Sequence, residues 1–588
     1  MIEFRNLESD DRVDVLFRGR DFQSILKVIR SQPHSFWDKK SRKWTLPLLH
    51  LLHFVGDLYA SRIDDTVFWE SKVYEAFLEF RNIVKRQNEI KSLPLKLNLK
   101  RYNKYLNEGI SLRPFQTLGS HFLYNSRLVG GCLLADVVGI GKTPQSIVAS
   151  HKLLVKKEVD NVIVICPESL KRKWYNDIHK FLKEPDALMI DGVPGKRLEQ
   201  YQEFAVTKGS YLIVNYDIAK NDWESILFPI LKDNDKLICC IFDEAQALKN
   251  YTTKRSKLCG RLAREFSSVN YGLTATYYET SLMDIFNIFT VVNTNTFGVN
   301  AKLFIENYVV LDYMGKEKGP KNVESLKKRL SPYHIRRQKE QVLDQLPERI
   351  EDTYWVKLTG SHLQCYKEIE ASVIDNIKSE LRKQKVSTAN ILAQQNYLLQ
   401  SCLSPELVSY KNPASLKIDL LLELLDQFAD EKVLVFCKYA RMVDILFREI
   451  KKKGYGCFKA KGKGSDGLKN ANQKQELIDK FNSDDTKVLV STDVFKEGVD
   501  IVGASIVIHF DLLWNPATME QRSGRIDRIG QKANKIYSIR LITEDTIEHQ
   551  MWERLYERGE TFNDVVDLGF KSKRVKQRDL LGMLNIEQ

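Results

Sequence analysis

The sequence has few cysteines and no pair of them spaced as CxxC; of the nine, only Cys239 and Cys240 stand close together. No cysteine or histidine cluster has the spacing of a metal site, so neither a disulfide framework nor a zinc centre is expected. Long apolar runs are also missing. The greasiest early stretch, LPLLHLLHFVGDLY from Leu46, holds two histidines and an aspartate and is too short to span a bilayer, so it reads as a buried helix. The opening MIEFRNLESDD is acidic and lacks the apolar core of a signal peptide, which argues against secretion. No tandem repeat points to a solenoid, and no nuclease metal pattern stands out. A cytoplasmic protein without a membrane partner is expected, nucleoid-associated if the source is a prokaryote or a phage.

What is present is long, mixed and basic. A chain of 588 residues exceeds one hydrophobic core and implies three or four domains. With 43% apolar and 28% charged residues it has a globular composition, and its formal charge of +13 suits an anionic polymer as partner. Lysines bunch in KKKGYGCFKAKGKG, Lys451 to Gly464. Up to about Tyr105 the text is aromatic and basic, and Trp37 and Trp44 read as core anchors or as a platform for stacked bases. Beyond Leu112 short β-rich runs recur at 162–165, 211–214 and 237–242, and again at 432–436, 487–490, 506–510 and 536–542. The intervals suit helical crossovers, so two α/β lobes with mostly parallel sheets are expected. The boundaries that follow are an accessory domain over 1–105, a first lobe over 106–350, a helical protrusion and linker over 351–412, a second lobe over 413–555 and a basic extension over 556–588.

The first chemically loaded stretch is GGCLLADVVGIGKTPQ, Gly130 to Gln145. Gly139 and Gly141 let a strand turn tightly into a helix whose first amides can surround phosphate oxygens. Lys142 would then meet the β and γ phosphates of ATP, and Thr143 would present its hydroxyl to Mg2+. Asp136 stands where the strict GxxxxGK[ST] pattern has its first glycine. A later apolar run ends in IFDEAQALKN, where Asp243 can hold Mg2+ and Glu244 can polarise the attacking water. Ahead of the loop, SLRPFQ offers Arg113 and Gln116 to the edge of adenine. In YGLTATYYET the hydroxyls of Thr274 and Thr276 read equally as local caps or as a link from the phosphate to the polymer face.

Near the end, QRSGRIDRIGQ places Arg525 and Arg528 three residues apart, on one face if the segment is helical. Such guanidiniums can spread the charge of a breaking γ phosphate bond. Buried on one lobe they would be unpaired, so they are expected to need ATP or a carboxylate of the other lobe. Ser169, Lys171 and Lys173 in ESLKRKW, and Asn215 after another strand, sit where a nucleic acid strand could run. Capping by Ser169 and core packing by Trp174 explain that segment equally well.

Taken in order, LRPFQ, LLADVVGIGKTPQ, DEAQALKN, LTATYY, IRRQKEQVLDQLPE, STDVFKEGVDI and LLWNPATMEQRSGRIDRIGQ resemble the motor of the Swi/Snf family of superfamily-two helicase-like ATPases. The last block is most similar to the bacterial RapA branch. The resemblance implies two tandem RecA-like P-loop lobes and ATP hydrolysis coupled to translocation along duplex DNA, with the basic motor unit a monomer. It implies that Gln246, Gly498, Asp500 and Gln521 join the nucleotide contacts, with Arg525 and Arg528 facing ATP across a cleft, and it adds Thr492 and Trp514 to the nucleic acid path. Gln246 stands where histidine is commoner, LTATYY replaces LTGTP, and Val494 to Lys496 replace small residues. Over Arg12 to Tyr59 the segment containing FWDKKSRKW resembles the HARP module of annealing helicases, which implies that Lys39, Lys40, Arg42 and Lys43 touch phosphate at branched DNA. A strand-separating helicase and an ATP-gated assembly protein of a replication, transcription or phage-defence complex are the competing readings.

Overall fold

The computed structural model describes residues 1–554 apart from 8–11, 19–20, 33–34, 40, 61–66, 94–99, 234–235, 279–280, 340, 343–346, 384–387, 412–413, 463–466, 469–470, 496–498, 515 and 529. Lys40, Gly498 and the extension over 556–588 lie outside the described residues. The chain divides into two compact units, one of Met1–Val137 with Gly141–Val342 and one of Leu343 onwards that also takes Val138–Ile140.

The first unit begins with a five-stranded sheet. Its strands are β1 (Ile2–Leu7), β2 (Arg12–Phe17), β3 (Phe36–Asp38), β4 (Lys43–Pro47) and β5 (Val67–Trp69), in the order β3-β4-β2-β1-β5. Only β1 and β5 pair in parallel. In RVDVLF of β2 alternate residues Val13 and Val15 join Phe4, Ile25, Leu46 and Phe54 in a closed core. Asp14, on the opposite face, is tied to Lys43 at 2.6 Å. The helix Leu48–Ala60 is the expected greasy one and buries Leu51, Phe54 and Leu58. The two tryptophans face each other across β3 and β4 with ring centroids 5.6 Å apart, Trp44 packing against the core and Trp37 40% exposed on the edge strand.

The rest of this unit is a seven-stranded sheet, parallel throughout. It comprises β6 (Gly131–Leu134), β7 (Asn161–Cys166), β8 (Ala187–Met189), β9 (Tyr211–Asn215), β10 (Ile238–Asp243) and β11 (Ser267–Leu273). After a hairpin of β12 (Val309–Leu311) and β13 (Glu317–Pro320), β14 (His334–Ile335) completes the order β14-β6-β11-β10-β7-β9-β8. Every residue of NVIVIC in β7 and ICCIFD in β10 is buried. Helices cover both faces of such a sheet, and its strands therefore read as unbroken apolar runs. The candidate residues Ser169, Asn215, Asp243 and Glu244 stand at or just past the carboxyl ends of β7, β9 and β10, where each strand hands over to a loop or helix.

The second unit carries β15 (Glu348–Val356), β16 (Val433–Phe436), β17 (Cys457–Ala460), β18 (Val488–Ser491), β19 (Ile506–His509) and β20 (Lys535–Thr543), all parallel, in the order β15-β20-β19-β16-β18-β17. Strand β15 corrects the expected boundary, because residues 348–356 belong neither to the first lobe nor to a helical linker. This edge strand is largely exposed and lacks an apolar run, yet it pairs with β20 over nine residues. The helices Gly360–Arg382 and Thr388–Leu403 bury Tyr366, Ile369, Val373 and Leu398 in a core shared with Leu512, Leu513 and Ile547. Among the described residues no helix is long and apolar enough to cross a membrane.

Deep in this unit Lys417 and Glu548 are 0% and 1% exposed and meet at 2.7 Å. Thr543 donates to the same carboxylate through its amide and hydroxyl, each at 2.9 Å. Breaking one partner of such a pair leaves a dry, uncompensated charge, whereas removing both exchanges it for apolar packing. Lys417→Met is therefore expected to cost about 3–5 kcal/mol in urea unfolding, and adding Glu548→Leu to recover most of it. A double variant as unstable as the single one would contradict this assignment.

Candidate nucleotide site

Beyond β6 the chain turns through 135–141 into the helix Lys142–Val155. Gly139 and Gly141 have φ of 91° and 82°, a left-handed backbone that the tight turn requires and that glycine adopts without penalty. Lys142 donates to the carbonyls of Asp136 at 2.8 Å and Val137 at 3.4 Å, so its ammonium is aimed along the loop that would cradle phosphate. Thr143 is half-buried in the first helical turn. Arg113 caps the helix Pro114–Asn125, its amide donating to Gln116 Oε1 at 3.0 Å. Gln116 Nε2 lies 2.5 Å from where a Cβ on Gly141 would stand, which places this pair beside the phosphate loop.

Asp136, the departure from the usual glycine, is fully buried and has a buried cation for partner. Arg337 donates from Nε to Asp136 Oδ1 at 3.0 Å and from its other arm to Oδ2, while Gln145 Nε2 reaches Oδ2 at 3.1 Å. Arg337 also donates to Gln145 Oε1 at 2.6 Å and to the carbonyl of Phe115. Sequence reading passed over Arg337. The signal that could have found it is Asp136 itself, since a carboxylate inside a glycine loop calls for a cation.

Strand β10 ends in the two candidate catalytic carboxylates. Asp243 is 6% exposed; Trp174 Nε1 donates to Oδ2 at 2.7 Å and the Glu244 amide to Oδ1 at 2.9 Å. Burial first, and the Glu244 charge second, push its carboxyl up to about 7, against the Trp174 hydrogen bond and the Lys142 charge. Glu244 sits at φ 49°, ψ 53°, a left-handed conformation costly for a side chain and found mostly at functional sites. Its Oε2 accepts from Gln246 Nε2 at 2.6 Å, and Gln246 Oε1 accepts from Thr274 Oγ1 at 2.6 Å. Gln246 thus bridges the candidate base to Thr274 within one unit. Thr274 also accepts from the Thr276 amide at 2.9 Å, the local capping bond expected of it.

Among the residues expected along nucleic acid, Ser169 and Lys173 are half-exposed. Lys171 is 2% exposed and bound to the Ile190 carbonyl at 3.0 Å and Asp191 at 3.1 Å, so its charge is used internally and not offered to phosphate. Asn215, 7% exposed, caps the next helix through the Ile218 amide at 2.6 Å and donates to Glu168. Ser169 does not cap; it lies within a short 3-10 turn.

In the second unit the helix Pro516–Ser523 ends before the arginines, which corrects the expected helical face: Gly524 to Arg528 form successive turns. The arginines are also satisfied within their own unit. Arg525, 4% exposed, donates to the carbonyls of Gln521 at 3.0 Å and Val499 at 3.1 Å, and Arg528 is ion-paired with Asp500. A third arginine was overlooked: Arg522 is fully buried between Asp493 at 2.7 Å and Asp511 at 3.0 Å, over the Phe436 ring. Thr492 and Trp514 line neighbouring hollows that share Lys438 and Asp493.

The donor set fits magnesium. Asp243 and Thr143 carry hard oxygen atoms that could ligate it, and Mg2+ characteristically takes one or two such protein ligands and completes its shell with water and substrate phosphate. Among the described residues no group of three or more His, Cys, Asp or Glu forms a metal cage of another kind.

Residues 70–407 match the model of the SNF2-related domain, and residues 416–530 match the helicase conserved C-terminal domain. An uncharacterized ATP-dependent helicase of Mycoplasma pneumoniae is 27% identical over 84% of this chain and 46% of its own length. The putative ATP-dependent helicase/translocase YwqA of Bacillus subtilis is 26% identical over 87% of this chain and 54% of its own. The chain spans about half the length of the curated relatives it matches. A SWI2/SNF2 ATPase core of Sulfolobus solfataricus in complex with dsDNA is 25% identical, covering 78% of this chain and 94% of that one at a TM-score of 0.37.

The raised Asp243 carboxyl gives a pH signature. Folded Asp243 holds its proton up to about 7, whereas the unfolded chain releases it near 3.8, so folding stability falls as pH climbs through that window. In metal-free protein Asp243→Asn is expected to raise the thermal midpoint at pH 8 by several degrees and to change it little at pH 3.5, below the unfolded value. Equal gains at the two values would refute the assignment.

Proposed function

Because the chain belongs to the SNF2-related family, we propose that it is a DNA-dependent ATPase that hydrolyses ATP to ADP and phosphate. On this reading it translocates along double-stranded DNA, remodelling branched structures or displacing bound protein. The observation that carries the reading is the linked array in the first unit, Lys142 on the phosphate loop and Asp243 and Glu244 at the end of β10, with Gln246 tying Glu244 to Thr274. The name helicase/translocase of the Bacillus subtilis relative supports movement as its outcome.

Each residue then has a task. Lys142 exchanges its loop carbonyls for β and γ phosphate oxygens, beside the amides at the helix start. Arg113 and Gln116 hold the adenine, with Gly498, Asp500 and Gln521 completing the nucleotide contacts. Thr143 and Asp243 hold Mg2+, which when bound neutralises phosphate charge. Glu244 orients and polarises the attacking water. Arg525 and Arg528 supply the positive charge that the transition state needs, Arg528 exchanging Asp500 for phosphate oxygen. Ser169 and Lys173, with Thr492 and Trp514, contact the DNA backbone, so affinity is weakly sequence-specific and salt-sensitive. The domain of residues 1–105 engages forked DNA in the manner of a HARP module, through Lys39, Arg42 and Lys43. A monomeric motor within the cytoplasm or nucleoid suits this task, close to the RapA branch.

One observation favours strand separation as a second reading. Tyr313 and Met314, at the tip of the β12–β13 hairpin, are 97% and 63% exposed, a shape suited to wedging between bases. Unwinding of a partial duplex that is lost in Tyr313→Ala, with ATP turnover retained, would establish it.

The decisive measurement is ATP turnover with duplex, single-stranded, forked and RNA ligands. Duplex or forked DNA is expected to stimulate most, and Lys142→Ala or Arg528→Ala to lower stimulated turnover on the order of 10³-fold. Unchanged turnover in both variants would end this reading.

A further inference from the structure

Asp243 is gripped by two aromatic side chains to which the nucleotide chemistry gives no task. Trp174, 1% exposed on the helix Lys171–Phe181, donates its indole N–H to the carboxylate at 2.7 Å. Tyr216, 3% exposed at the start of the helix Tyr216–Asp222, donates its hydroxyl to the main-chain carbonyl of the same residue at 2.8 Å. These helices open just past β7 and β9, and β10, β7 and β9 are consecutive neighbours in the sheet. Glu168 laces the two openings together, its carboxylate taking the Lys171 ammonium at 3.3 Å and the Asn215 carboxamide.

A buried tryptophan needs some acceptor for its N–H, and a backbone carbonyl would serve. Here the acceptor is an acidic side chain in a dry site, whose ionised form makes the hydrogen bond charge-assisted and the oxygen's direction strongly dependent on the donor. The carbonyl held by Tyr216 belongs to the peptide that leads into Glu244, whose left-handed backbone permits only a narrow range of placement. A displacement of either helix therefore reorients one carboxylate directly and the other through its main chain.

We propose that Trp174 and Tyr216 are positioning residues that transmit DNA occupancy at Ser169 and Lys173, which Glu168 laces to the opening of the Tyr216 helix, to Asp243 and Glu244. The inference rests on the DNA-dependent ATPase reading. Linkage requires the converse as well: nucleotide bound beside Asp243 changes the affinity of those residues for DNA by the same factor.

Trp174→Phe and Tyr216→Phe keep a ring in place and remove the donor. In full-length protein, the ratio of ATP turnover with and without duplex DNA is expected to fall about 10-fold in each variant, within the range of ordinary coupling energies. The second readout needs no turnover. Equilibrium binding of a fluorescent, non-hydrolysable ATP analogue with Mg2+, titrated with and without duplex, should give affinities whose ratio collapses towards one. Both donors act on one residue, so the double variant should lose little more than the worse single. Variants with unaltered thermal midpoints and wild-type ratios would overturn the inference, as would weaker DNA binding with the ratios retained. A wild-type protein that hydrolyses ATP without any response to duplex overturns the functional reading as well, which separates the two failures.

Discussion

The guanidinium of Arg337 is the point on which the nucleotide site of the first unit depends. It is 8% exposed and faces the fully buried Asp136, so neither charge has water to fall back on. Removal of either would strand the other, a cost of about 3–5 kcal/mol in comparable pairs. Around that pair converge the glycine loop through Asp136, the helix behind it through Gln145, and the helix Pro114–Asn125 through the Phe115 carbonyl. A Cβ on Gly119 would fall 1.8 Å from Gln145 Oε1 and 2.7 Å from the Arg337 guanidinium, so a larger residue there would push these two side chains out of their bonds. One ion pair thus sets the loop, and the loop sets Lys142.

A common device runs through the remaining functional cations. Lys142 rests on two carbonyls, Arg525 on two others and Arg528 on Asp500. Each has partners within the protein, so on the proposed reading phosphate would compete with contacts already present, and its departure would restore them. Asp243 behaves conversely: it has donors but stands among groups that disfavour its charge, and a cation relieves that conflict.

Much of this was legible in the residues. Strands buried on both faces announce themselves as apolar runs, and β7, β9, β10, β16, β18, β19 and β20 fall on the runs that mark them. Lys142, Asp243 and Glu244 stand out in the sequence because tight turns and strand-end carboxylates leave a local pattern. The misses share a physical cause, which is that their partners are distant in sequence. Strand β15 is an exposed edge whose only evidence is β20, and Arg337 is defined by an aspartate two hundred positions earlier. Lys171 reads as a surface cation until Asp191 and the Ile190 carbonyl are seen to bury it. The arginine segment misled because a spacing of three residues suits a helix and these successive turns equally well.

The pairing of β15 with β20 has a consequence for how the chain is made. In the first unit β14 reaches β6 by Ile335, so that sheet can close as soon as those residues have left the ribosome. The second sheet cannot, because Glu348, at its first strand, has its partner at Lys535, in its last. Throughout synthesis of the intervening stretch β15 is an open edge with nothing to join. Contacts of such long range form slowly, and exposed strand edges invite association with other chains. The two units are therefore completed at different times, the glycine loop before Lys142 first and the arginines last.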